Sequence, residues 1–476
     1  MREDSSCKRL IWNFLYLGFC HEIPRRHLRF PMSNSPSPPR LGAAAAVGVV
    51  ICAFLGWFFG GTQIALNNLI QTGVLDVLDQ SEAIDQNLYG ELTAKVRDKS
   101  ATAGELAQMN EWSPLVKKWY AWLQCAFLFG AAAGGYIFGK LGDRIGRTRT
   151  LGISIIWFSA FTGLTWFAAS PEQLFVMRFL ACLGIGGTWP NGVALVSEVW
   201  ATTARPVLAS AIGMAGNLGI FTMSNLSRIF AENEISWKMG LLANTAPILL
   251  GALILALLPE SPSWQLNTPA QKEKKPSVFR KPHLKVTLIG IALATIPLIG
   301  GWGSANWMVP WAADEGKAIG DGTLAPRVVM YRSLASIVGS LLAGLIAITL
   351  GRRRTYLIAA LAAFVSAQLA FWFTSPHDEA FFILAAVLGI FNGIFFGWLP
   401  FFLPELFPTR VRATGTGVSF NYGRILTALS IFGTGYVLGS FNHDYAAIGR
   451  ITSFVFLLGV VAIYFAPDTS KRNMAE

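Results

Sequence analysis

Twelve apolar runs, each near the length of a bilayer crossing, constrain this chain more than any other feature in it. A membrane-spanning helix needs about 20 predominantly apolar residues. Such runs occupy roughly 42–66, 119–139, 149–169, 172–194, 204–227 and 237–258, then 286–311, 327–350, 355–375, 379–402, 413–438 and 446–466. In hydrocarbon every backbone polar group must be satisfied inside its own segment, so spans of this kind are helices. The expected fold is all-α integral membrane, with twelve transmembrane helices in two six-helix pseudo-repeats. Composition points the same way: only 14% of the 476 residues are charged, against about 25% in a chain with a water-facing surface to cover.

Between the runs the chain divides into an N-terminal extension (1–41), a first half (42–258), a linker (259–285), a second half (286–466) and a short tail (467–476). The extension is expected to lie apart from the fold. Its apolar stretch Leu10–Phe19 follows Lys8 and Arg9 but has no small-residue cleavage site, and Met32 is the expected start of translation. The net charge is +11, which by itself would admit nucleic acid. Its placement excludes that partner, because the basic residues sit in short loops between apolar runs. Lys140, Arg144, Arg147 and Arg149, the linker's Lys272, Lys274, Lys275, Arg280 and Lys281, and Arg352, Arg353 and Arg354 all fall on one side if the spans alternate. That side is expected to be cytoplasmic, with both termini there, in a multi-pass inner-membrane protein. The opposite loop, 67–118, carries eight acids against five basic residues and is expected to form an external cap. Cys52, Cys125 and Cys182 lie in apolar runs and Cys7 and Cys20 in the extension; their spacing fits neither a metal nor a disulfide framework and reads as packing.

The halves repeat. Gly139 to Arg147 matches Gly344 to Arg352 at an offset of 205; Glu198 and Arg205 match Glu405 and Arg412 at 207; and Pro259-Glu260-Ser261 matches Pro467-Asp468-Thr469 at 208. Three matches in order, with slowly growing offsets, indicate duplication. In the second copy Ile348 stands where the first has Asp143.

Gly-x-Leu-x-Asp143-Arg-x-Gly146-Arg147, Arg178 before Gly184 and Gly186, and Pro404-Glu405-Leu-Phe-Pro408-Thr-Arg410-Val-Arg412-Ala-Thr-Gly415 resemble the major facilitator superfamily. Pro259 to Trp264 resembles its sugar-porter branch, and Pro404 to Arg424 its aromatic-acid and sialic-acid permease branches. The resemblance implies a monomeric secondary transporter working by alternating access, with no cofactor. It also implies a gate on the basic side, built from Asp143, Arg144, Arg147, Glu198, Arg205, Arg352, Glu405, Arg410 and Arg412. Asp143 beside the start of a helix in the other half would stabilise that helix's positive end. Ion pairs there, if exposed, contribute ~1 kcal/mol each, and several together bias one state of a bistable carrier.

A substrate path needs polar groups at membrane depth. Gln63, Asn67, Trp189, Asn191 and Asn217 supply them in the first half, and Asn306, Trp307, Asn392, Trp398 and Asn421 in the second. Amides beside indoles suit a small polar solute, a sugar or an organic acid, and equally suit helix packing. Gly300, Gly301 and Gly303 precede Asn306 and are expected to loosen the seventh span. Arg178 and Arg424 are more informative, since each costs at least ~2.5 kcal/mol inside a span unless it meets water or a partner. The resembling families often carry an acid on the first span, where this chain reads Gly60-Gly61-Thr62-Gln63. The two arginines therefore admit two readings, a carboxylate-binding fork or backbone-satisfied structure, and proton coupling is in doubt. A non-transporting receptor with the same fold is the alternative function. An enzyme is not expected: none of the five histidines lies within a span and no Gly-x4-Gly-Lys-Ser/Thr loop occurs.

Overall fold

A computed structural model describes residues 41–98, 100–200, 204–267, 276–303, 305–429, 441 and 444–469. Met32, Cys7, Cys20, Lys272, Lys274 and Lys275 lie outside the described residues. The first half runs through α1 (Ala43–Gln80), α2 (Gln86–Arg97), α3 (Ala103–Ile145), α4 (Arg147–Leu164), α5 (Pro171–Val199), α6 (Arg205–Glu232), α7 (Lys238–Ala243) and α8 (Ile248–Leu257). A short α9 (Pro262–Asn267) follows. The second half comprises α10 (Leu284–Gly303), α11 (Met308–Ile319), α12 (Leu324–Leu350), α13 (Arg352–Phe373), α14 (Glu379–Glu405), α15 (Arg412–Asn421), α16 (Tyr445–Thr452) and α17 (Val455–Tyr464). Among the described residues, eleven helical segments are long and apolar enough to cross a membrane. The remaining expected span, 413–438, is described only to residue 429. The fold is therefore the all-helical membrane architecture of two related halves.

Large apolar side chains on the outside, such as Leu257 at 75% and Phe373 at 77% exposure, fit a surface whose solvent is lipid. Inside, helix meets helix at backbone distance. Gly134 of α3 lies against the Leu183 carbonyl of α5, and Gly393 of α14 against the Ser336 carbonyl of α12, which is the small-residue packing that membrane helices use. Matched turns join α3 to α4 and α12 to α13 through Gly146 at φ 113° and Gly351 at φ 86°, values that favour glycine.

Three departures from the expected spans have identifiable causes. The 67–118 segment is mostly helix: α1 runs on to Gln80, α2 is capped by Asp85 on the Leu88 N–H at 2.9 Å, and α3 begins with a Thr102–Glu105 capping box. That box was present in the sequence as a T-x-x-E signature. Glu105 also bonds Lys95 at 2.5 Å, and this bond holds the ammonium above its ordinary pKa. The sixth and twelfth spans are each broken in the middle. Pro247 supplies no N–H at one break, and at the other Gln368 reaches across from α13 to donate to Ser453 Oγ at 2.7 Å and the Arg450 carbonyl at 2.8 Å. The seventh span stops at Gly303 and resumes through a 3-10 turn, Ala305–Trp307, into α11.

Replacing Gly393 by Leu places a Cβ on the Ser336 carbonyl. It is expected to cost about 2 kcal/mol, read as a lowered unfolding temperature of the detergent-purified protein; an unchanged transition would show that the α12–α14 contact is looser than described.

Candidate functional site

A cavity of about 1090 Å³ lies between the halves, walled by α1, α3 and α6 on one side and α10, α12 and α14 on the other. It reaches Asn225 and Arg228 near the end of α6, and Ala325 and Pro326 at the start of α12. Its mouth is therefore on the face opposite the basic loops. Below it a cup of about 160 Å³ shares Ile64, Phe127, Asn217, Ile220 and Phe396 with the main cavity.

The cup is aromatic with one cation. Trp189 stacks on Phe420 at 3.9 Å between centroids, and Trp57 stands 6.1 Å from Phe420. The Arg424 guanidinium, on the helical residues 423–429, lies 5.0 Å from the Phe127 ring and 5.4 Å from that of Phe420. Arg424 is 4% exposed, and its Nε and Nη1 meet no hydrogen-bond partner among the described residues. Asn217 donates to Ser340 Oγ at 2.9 Å, which donates to the Gly393 carbonyl at 2.9 Å, so the floor of the cavity ties α6 to α12 and α14. The Oδ1 of Asn392 has no partner among the described residues. No Asp or Glu lines either space among those residues.

Four of the expected substrate residues, Trp189, Asn217, Asn392 and Arg424, thus meet at one cavity. The others are placed differently. Arg178 is fully buried and donates from Nε to Asn67 Oδ1 at 3.1 Å, from Nη1 to Gln63 Oε1 at 3.0 Å, and from Nη2 to the Gln63 carbonyl. Gln63 in turn accepts from Thr162 at 3.0 Å and donates to the Asn244 carbonyl at 3.1 Å. Arg178, Gln63 and Asn67 therefore form a closed knot inside the first half, not a wall of the cavity. The physical reason is that two amides one helical turn apart match the guanidinium fork as acceptors. Asn191 donates to the Phe138 and Gly187 carbonyls at 3.2 and 2.8 Å, and Asn421 to Gly186 and Gly417 at 3.2 and 3.0 Å; both are spent on helix packing. Trp398 donates to the Arg352 carbonyl at 2.9 Å and stacks on Phe402, well below the cavity. Trp307 packs against Tyr445 and does not line the cavity. The side chain of Asn306 lies outside the described residues. The sequence reading missed Arg332, Gln124 and Ser336, which do line the cavity. Arg332 was legible as a cation eight residues inside α12, but it falls near a predicted span edge.

At the basic face the duplicated residues converge. Asp143 accepts from the Ala413 and Thr414 N–H groups at 3.2 and 2.9 Å and from Thr414 Oγ1 at 2.5 Å, at the N-terminus of α15, where a negative charge is favoured. Arg147 pairs with Asp143 at 3.0 Å and Glu198 at 3.2 Å and also donates to the Thr409 carbonyl. Glu198 pairs with Arg412 of the other half at 2.9 Å. In pseudo-symmetric fashion Glu405 pairs with Arg352 at 3.1 Å and, more loosely, with Arg205 at 3.9 Å. Ser261 donates to Glu198 and Thr469 to Glu405, each at 2.5 Å. These groups are buried, so the figure for exposed pairs does not apply to them: removing one partner of a buried pair costs about 3–5 kcal/mol. Arg144 and Arg410 are exposed. Glu260, not expected in the gate, accepts from the Arg147 and Thr148 N–H groups at 2.9 and 3.1 Å and caps α4. The linker's first residues are thus part of the structure, and Trp264 donates to the Asp143 carbonyl at 3.2 Å.

A central cavity open to one face and sealed at the other by ion pairs between related halves defines a membrane carrier. The chain belongs to the Major Facilitator Superfamily, whose family model matches residues 100–430, and it is a secondary transporter and not an enzyme. It is 28% identical over 353 residues to the cis,cis-muconate transport protein of Acinetobacter baylyi, covering 72% of this chain and 83% of that one. It is 25% identical over 299 residues to the sialic acid transporter NanX of Escherichia coli, covering 63% and 72%. The solved structure of the proton:xylose symporter XylE bound to 6-bromo-6-deoxy-D-glucose superposes with a TM-score of 0.67 at 16% identity, over 90% of this chain and 98% of that one; this likeness concerns the fold.

If the Arg178 knot is structural, Arg178→Gln strands the Gln63 and Asn67 acceptors and costs about 2–3 kcal/mol of stability. The expected result is a lowered unfolding temperature with the solute KM of the surviving folded protein unchanged. A raised KM at unchanged stability would return Arg178 to the substrate path.

Proposed function

We propose that the chain carries a small organic anion, with its carboxylate on Arg424 and its apolar body in the aromatic cup. The observation that carries this reading is a buried guanidinium with two nitrogens unpaired among the described residues, facing a cavity that no carboxylate lines among those residues. Such a group is costly until an anion meets it, and a guanidinium presents a fork matched to a carboxylate. The relatives named for muconate and sialic acid, both carboxylates, support this reading over a neutral sugar.

On this reading the basic face is cytoplasmic, with both termini there, and the cavity opens outward. The halves 42–258 and 286–466 are the bodies that rock about the site. The cavity lies between the two halves of one chain, and the working unit on this reading is the monomer. The Asp143, Glu198 and Glu405 clusters act as the gate that holds the cytoplasmic side shut.

Uptake into liposomes tests the substrate. Arg424→Gln is expected to lower carboxylate uptake about 10- to 100-fold, the equivalent of one or two charge-assisted hydrogen bonds; full carboxylate uptake by the variant, or wild-type preference for a neutral hexose, would sink the anion reading. The gate has its own test. Ala413 is buried at the seam, so a cysteine placed there should resist a membrane-impermeant maleimide from the cytoplasmic side. Adding Glu198→Gln should raise its labelling several-fold, and equal labelling in both backgrounds would leave Glu198 with no part in closure.

A further inference from the structure

We infer that the anion bears an O–H or N–H donor at the end remote from its carboxylate, and that Asn392 is the residue that reads it. This rests on the anion reading of the cup. Asn392 is 6% exposed and lines the main cavity, and its Oδ1 meets no hydrogen-bond donor among the described residues. A buried amide oxygen is costly to leave without a donor. At this level the neighbouring helix offers acceptors: α12 sets the Arg332 and Ser336 carbonyls against Gly389 and Gly393, which flank Asn392 on α14. The Ser340 hydroxyl is spent on the Gly393 carbonyl at 2.9 Å. The side left open to Asn392 is the solute space, and a proton for its oxygen has to come from there.

Its height selects the ligand. α14 runs inward to Glu405 at the sealed face, so Phe396 lies one helical turn deeper than Asn392, about 6 Å of rise. Phe396 and Phe127 line both the main cavity and the cup, whereas Asn392 lines only the first and Arg424 only the second. A solute with its carboxylate on Arg424 therefore passes these two rings before its far end comes level with Asn392. A single carboxylate does not span the two residues. An acid with a ring or a chain of similar length, tipped by a hydroxyl or an amide N–H, does. Its apolar body lies between Phe127 and Phe396, and its outer donor meets Asn392 Oδ1. A site whose buried acceptor awaits a donor discriminates against the analogue that lacks one.

Three acids test this: cyclohexanecarboxylate, its trans para-hydroxy derivative and the methyl ether of that derivative. Their binding to the purified full-length protein is followed by tryptophan fluorescence, to which Trp57 and Trp189 of the cup contribute, and by competition for uptake in liposomes. Wild type is expected to bind the hydroxy acid about tenfold more tightly than the other two, since the ether keeps the oxygen but has no proton to give. Asn392→Leu, close in volume, should level the three while leaving the parent acid within about twofold. Equal affinities for the parent and hydroxy acids in wild type, a result that needs no variant to fold, would overturn the inference. So would an ether bound as tightly as the hydroxy acid, which would make the amide a donor, or an undiminished preference in Asn392→Leu. Failure of all three carboxylates to bind wild type would strike the anion reading itself, and this inference with it.

Discussion

A guanidinium that leaves water must be met by acceptors inside the protein, and six arginines are buried among the described residues: Arg147, Arg178, Arg205, Arg352, Arg412 and Arg424. Four of them are settled by two glutamates. Glu198 serves Arg147 of its own half and Arg412 of the other; Glu405 serves Arg352 of its own half and Arg205 of the other. Each carboxylate is thus shared between halves, and no half can bury its own charges alone. The pairing requires α5, α6, α14 and α15 to meet at one face, and that meeting leaves the cavity open only at the opposite one.

The duplication is not symmetric in strength. The seam of α3 and α5 with α15 holds the 2.9 Å Glu198–Arg412 pair and the Asp143 cap on α15. The matching position 348 is an isoleucine, 47% exposed, which offers nothing to the start of α6, and the Arg205–Glu405 pair there is 3.9 Å long. A carrier sealed in this way has one firm seam and one soft one, so the two seams are not expected to part together.

The sequence carried the architecture because its largest signal, twelve apolar runs, is local and has one physical solution in lipid. The repeat was equally readable, since the charged residues of each copy keep their spacing. What did not show was tertiary. The breaks at Asn244–Pro247 and at Ser453 sit inside uninterrupted apolar runs, and at Ser453 the donor that satisfies the break comes from Gln368 on a different helix. Glu260 could be matched to its repeat copy, but nothing local says that it caps a helix more than a hundred residues earlier. The polar residues at membrane depth were found as types and could not be sorted. Asn191 and Asn217 are both asparagines in apolar runs, yet one spends its amide on carbonyls between α3 and α5 while the other stands at the floor of the cavity.

Arg178 and Arg424 show what does the sorting. Both were equally conspicuous in the sequence and both are buried. Arg178 faces α1 where Gln63 and Asn67 present two amide oxygens on one side of the helix, and its charge is absorbed within its own half. Arg424 faces Phe127 and Phe420, rings that accept a cation on their faces but leave its in-plane donors unanswered. It also lies twelve residues beyond Arg412, on the helical residues 423–429 that follow α15 across Tyr422, so the residue that would meet the anion and the residue that pairs with Glu198 stand on consecutive segments that both pack on α3. An anion bound between Arg424 and the rings of α3 and α5 would therefore load the same seam that Asp143 and Glu198 hold closed. On the anion reading, occupancy and gating would be coupled through that interface.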